Sequence, residues 1–144
     1  MWEIAKTAGI FIFLILCSLQ DIKEKRISVK MLVLSGALFL ILSLLFDRMP
    51  CERRIAGMLP GMSAFVLAFL TGEQIGYGDA ACLAVLGTVV SFDILFGAMT
   101  VGLLILSIYS LVLLIRRKAD RRTTLPFVPF LTVGMLWRML VQKG

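Results

Sequence analysis

Long apolar runs, separated by short charged or glycine-rich interruptions, set the pattern of this chain. Six such runs can be drawn: Ile4–Gln20, Met31–Phe46, Ile55–Thr71, Ala80–Phe92, Ile94–Ile115 and Thr123–Val141. Apolar residues fill all sides of each run, so helical periodicity does not separate a lipid-facing side from a buried one. A membrane-crossing helix takes ~20 mostly apolar residues, and the fourth run is shorter than that. Pro60 and Gly61 are placed to bend the third. The pattern predicts an all-α integral membrane protein with about six transmembrane helices in one bundle, and residues 1–144 forming a single membrane-embedded domain.

Composition strengthens the membrane assignment. The chain is 60% hydrophobic and 17% charged, more apolar surface than a soluble domain of 144 residues can bury. Its net charge of +6 sits in short clusters between apolar runs, which suits membrane topology and anionic headgroups rather than nucleic acid. Membrane lipids are therefore expected partners. The N-terminal run has bulky Leu16 where a signal peptide needs a small residue, and no A-x-A-like site follows, so a retained first helix is expected.

Orientation follows from the basic residues. With the N-terminus outside, the cytoplasmic loops carry Lys23, Lys25, Arg26, Lys30, Arg116, Arg117, Lys118, Arg121 and Arg122, nine of the 15 basic residues. The "RRKADRR" run then reads as an inside-positive loop, with Asp120 a solvated ion-pair partner. Asp21 and Asp79 both fall on the cytoplasmic side, each at a helix boundary. Asp47, Glu52 and Asp93 fall on the other side.

Candidate chemistry narrows to carboxylates. The chain contains no histidine, and Cys17, Cys51 and Cys82 form no CxxC pair. A zinc site or a histidine-based triad is not expected, nor any other metal or cofactor. Asp21 lies in "CSLQDIKEKRISVK", where an interfacial charge is the plain structural alternative. Asp79 lies in "GEQIGYGDAACLAVLG", where an aspartate before an apolar run can cap the helix. Capping does not account for Gly76 and Gly78, which can let another backbone approach or adopt positive φ. An extended peptide could pair with such a strand, making Gly76, Tyr77 and Gly78 candidate substrate-binding residues. Glu73 is placed to tune Asp79. Two carboxylates brought together share a proton, so one can activate water while the other hydrogen-bonds a scissile carbonyl.

Three segments together resemble the type IV prepilin peptidases, a family of GxGD membrane aspartyl proteases. "LQDIKEKRIS" looks like the family's first aspartate motif. "GYGDA" matches the second at Gly76, Tyr77, Gly78 and Asp79, and "LPFVPFLTVG" looks like the Pro-Phe-x-Pro-Phe segment opening the last core helix. The resemblance implies Asp21 and Asp79 as the catalytic pair of an endopeptidase that removes leader peptides from prepilin or pilin-like precursors. It implies action at the cytoplasmic face of the cell membrane, in pilus biogenesis or protein secretion. Ser28 and Val29 stand where the family often has Pro-Asn, and Ala81 where it often has lysine. The N-terminal extension of bifunctional members is not seen, so cleavage without N-methylation is expected. The residues alone leave two alternatives open. One is a non-enzymatic membrane scaffold or transporter subunit with Asp79 as a helix cap. The other is a GxGD protease acting on other membrane substrates.

Overall fold

Apolar runs of this length must satisfy their backbone internally when lipid surrounds them, and a helix does so within one segment. The computed structural model describes residues 1–24, 28–72, 76–117 and 125–143. Among them it holds six helices and no strand: α1 (Trp2–Glu24), α2 (Val29–Phe46), α3 (Cys51–Leu70), α4 (Tyr77–Gly87), α5 (Phe92–Ile115) and α6 (Val128–Lys143). Successive helices alternate in direction. The C-terminal ends of α1, α3 and α5 therefore share one end of the bundle with the N-terminal ends of α2, α4 and α6.

Four helices, α1, α2, α3 and α5, are long and apolar enough to cross a membrane. At ~1.5 Å per residue, α4 and α6 rise only about 16 Å and 24 Å, short of a ~30 Å hydrocarbon core. The lipid-facing character is plain on α2, where Val33, Leu34, Leu38, Ile41 and Leu45 are all more than half exposed. The core instead collects Ile10, Leu14 and Cys17 from α1, Leu83 and Leu86 from α4, and Leu131 and Met135 from α6.

Several helix boundaries differ from those the apolar runs suggest. α1 continues past Gln20 to Glu24, so Asp21 is on the helix rather than beyond it. Helical hydrogen bonding does not depend on side-chain polarity, and the last turn can carry charge. α3 starts at Cys51 and keeps Pro60 inside a continuous helix. α4 spans Tyr77–Gly87 rather than Ala80–Phe92, and Phe92 instead opens α5. α6 begins at Val128, after Pro126 rather than at Thr123.

The short α4 is packed backbone to backbone on α3. A Cβ at Gly57 would collide with the Gly87 carbonyl, one at Gly87 with that of Gly57, and one at Gly61 with the Ala84 amide. Gly57 and Gly61 thus form a GxxxG seam, the close contact on which membrane helices associate. The same device joins α6 to α5, where a Cβ at Gly134 would strike the Ala98 carbonyl.

At the end of the bundle away from Asp21, Arg54 closes off α2. Its guanidinium donates to Ser43 Oγ and Ser43 O at 2.7 Å each and to Asp47 O at 3.0 Å, while Nε donates to Met49 O at 3.3 Å. These carbonyls include ones that a helix C-terminus leaves without intrahelical donors. Lys6 forms an ion pair with Asp47, tying α1 to the same corner.

Candidate active site

Asp21 and Asp79 reach one place because two helix faces carry matching pairs. On α1, Cys17 precedes Asp21 by one turn; on α4, Cys82 follows Asp79 by one turn. The Cys17 and Cys82 thiols are fully buried and interact with each other, which sets the two faces side by side. One turn nearer the end of the bundle, the same faces present the two carboxylates. They are close enough for the Asp21 charge to act on Asp79.

Asp21 is 7% exposed, and its partner is a helix terminus. Its Oδ2 accepts the Val128 amide N–H at 3.2 Å, with the Phe127 amide beside it. Val128 is the first residue of α6, where amides lack intrahelical acceptors and the helix dipole favours an anion. The sequence "LPFVPF" builds this terminus. Pro129 falls in the first turn, where its missing N–H costs no helical hydrogen bond. One turn deeper, Ser18 and Thr132 hydroxyls hydrogen-bond at 3.1 Å, holding α1 against α6 directly beneath Asp21.

Asp79 is in a different setting. It occupies the first turn of α4, outside the four long spans, and it is not the N-cap: Gly76 takes that position, with no side-chain cap. The expectation of a capping aspartate is corrected, because the helix opens at Tyr77 and carries Asp79 inside it. Burial, reinforced by the nearby Asp21 carboxylate, pushes Asp79 up from 3.8 to about 7.

The glycine segment also differs in detail from its expected form. Gly76 has φ −64° and ψ 128°, which any residue can adopt, so positive φ is not its reason. A Cβ there would stand 3.2 Å from Asp79 Oδ2, so the glycine leaves the carboxylate uncrowded. Tyr77 is 41% exposed, its ring 6.4 Å from that of Phe65 on α3, and Gly78 follows it in the first turn of α4. Glu73, Lys25, Arg26 and Asp120 lie outside the described residues. Among those described, no three His, Cys, Asp or Glu side chains converge as metal ligands.

Sequence reasoning missed three contributors: the Cys17–Cys82 contact, the Val128 amide and the Ser18–Thr132 bridge. Helical spacing held a signal for the first. Cys17 and Asp21 are four apart and Asp79 and Cys82 three apart, so each pair shares a helix face. A backbone amide leaves no residue-type signal at all.

Residues 8–115 match the model of the type IV leader peptidase family. No curated protein matches the chain, and no solved structure does.

Proposed function

As the chain belongs to the type IV leader peptidase family, we propose that it is a membrane aspartyl endopeptidase whose catalytic pair is Asp21 and Asp79. One observation carries this reading: two carboxylates from different helices meet at one end of a membrane bundle in unlike environments. Asp21 has backbone amides of a helix N-terminus to stabilise its negative charge, and Asp79 is half-buried beside it, its pKa pushed up to about 7. Such a pair shares one proton, and its two apparent pKa values belong to the pair. In the proposed assignment Asp79 carries that proton and Asp21 is ionised.

The chemistry then follows without a metal. Asp79 donates its proton to the oxygen of the scissile carbonyl as Asp21 takes a proton from water, and the hydroxide adds to the carbonyl carbon. Collapse of the tetrahedral intermediate returns a proton from the diol to Asp79. Asp21 delivers its own to the departing amine. Both side chains end as they began.

The substrate in this reading is a prepilin-like precursor with a short basic leader followed by an apolar helix. Gly76, Tyr77 and Gly78 line the approach, because the first amides of α4 have no intrahelical acceptors and Gly76 keeps the strand's path to Asp79 open. Basic residues at this end, including Lys23, Lys30, Arg116 and Arg117, support a cytoplasmic orientation in the cell membrane. All of 1–144 works as one domain, since α6 supplies the amides at Asp21. Co-expression with such a precursor tests the function. A size shift is expected, with the new N-terminus at the start of the apolar helix. A precursor left intact by well-expressed protein, across the precursors tried, would overturn it.

A further inference from the structure

The end of the bundle opposite the aspartates carries an open groove of about 450 Å³ between α5 and α6. On α6 it begins at Trp137, nine residues on from Val128, roughly 14 Å away at helical rise. Its two lips bear opposite charges. Asp93 stands in the first turn of α5 and Arg138 on α6, and both line the groove. They do not pair with each other: among the described residues the ion pair is Lys6–Asp47. The Arg138 Nε is buried with no hydrogen-bond partner. Gly97 makes that position possible, since a Cβ there would lie 2.7 Å from Nε.

A buried guanidinium N–H left unpaired costs stability until an acceptor reaches it. A phosphate fits it best, because the guanidinium fork matches phosphate oxygens in a way a point charge does not. The carboxylate on the other lip then disfavours a purely anionic ligand and favours one that also carries a cationic donor. Trp137 beside Arg138 is 59% exposed, as an interfacial anchor would be. Phe96 and Val141 continue the lining as apolar wall.

We propose that this groove binds a glycerophospholipid through a zwitterionic phosphoethanolamine headgroup. Its phosphate accepts from Arg138, its ammonium donates to Asp93, and an acyl chain lies along Phe96 and Val141. Phosphatidylcholine lacks ammonium N–H donors and phosphatidylglycerol lacks the cation, so both fit less well.

The test is native mass spectrometry of the delipidated full chain in detergent, given equal amounts of phosphatidylethanolamine, phosphatidylcholine and phosphatidylglycerol. Retention of phosphatidylethanolamine about tenfold above the other two is expected, on the strength of charge-assisted hydrogen bonds. Arg138→Gln and Asp93→Asn should each erase the preference, and Arg138→Lys, which keeps the charge and guards against misfolding, should weaken it. Soluble phosphoethanolamine at the same concentration should not displace the lipid. Equal retention of the three lipids would overturn the proposal, as would a preference for phosphatidylglycerol. So would an Asp93→Asn variant that keeps the preference, or displacement by the soluble headgroup. None of these readouts depends on peptidase activity.

Discussion

The fold raises the proton affinity of Asp79 strongly, and two consequences of determinate sign follow. As the proposed proton donor it must be protonated, so precursor cleavage should fall as pH rises through about 7; a rate-against-pH profile measures this. Stability should move the same way. A carboxyl whose pKa is raised on folding favours the folded state most below its ordinary range, and that contribution is lost between 3.8 and about 7. Asp79→Asn removes the titration, so its melting temperature should hold from about pH 5 to pH 8 while that of the parent protein drops. A parallel drop in both would refute the burial argument. Gly76→Ala makes a finer test. The backbone at Gly76 accepts alanine, but its Cβ would stand 3.2 Å from Asp79 Oδ2. Cleavage should fall by roughly tenfold or more from the misplaced carboxylate, with melting little changed. The two aspartates were legible in the sequence as charges beside apolar runs, and Gly76 as a glycine with a reason. Their unlike environments were not, because an amide from α6 reaches Asp21 while Asp79 sits half-buried in the first turn of α4.

Helices show where pattern reading reaches and where it stops. All six elements were legible, since apolar runs broken by charge and glycine correspond one to one with α1 to α6. The limits of α4 were not, because uncharged residues continue from Ala80 through Phe92 and a helix end leaves no hydrophobic signature. Gly87 meets Gly57 at that end, a contact visible only as the spacing of Gly57 and Gly61 in an otherwise bulky helix. Gly57→Val should therefore force α3 from α4 and cost about 1–3 kcal/mol or more, read as a fall in melting temperature with the helical circular dichroism retained at low temperature. Arg54→Ala should cost a comparable amount. It strips the donor from buried Ser43 Oγ and from the Asp47 carbonyl at the end of α2, and about 1–3 kcal/mol is typical for a buried acceptor left unsatisfied.

At the scale of the whole molecule the two ends are chemically distinct. One gathers Asp21, Asp79 and the N-terminus of α6; the other gathers the Lys6–Asp47 pair, Arg54 and the Arg138 groove. If the aspartate end faces the cytoplasm, Cys51 faces the opposite side, and it is exposed whereas Cys17 and Cys82 are buried. A membrane-impermeant maleimide applied to intact cells should thus label the protein once, at Cys51, and Cys51→Ser should abolish the labelling. Labelling that appears only after the cells are opened would reverse the orientation. The assembly of the site from α1, α4 and α6 is also a property of this scale. The sequence placed Asp21 and Asp79 on one side but could not bring α6 to Asp21, because a hydrogen bond from a backbone amide to a carboxylate 107 positions away has no local trace. The most direct test of the central claim is the cleavage rate of a purified precursor by Asp21→Asn, Asp79→Asn and the double variant, each verified as folded. If the two carboxylates act as one unit, each single variant should lose about a thousandfold or more, and the double variant should be no slower than either single one. Substantial cleavage by either folded single variant would contradict the account.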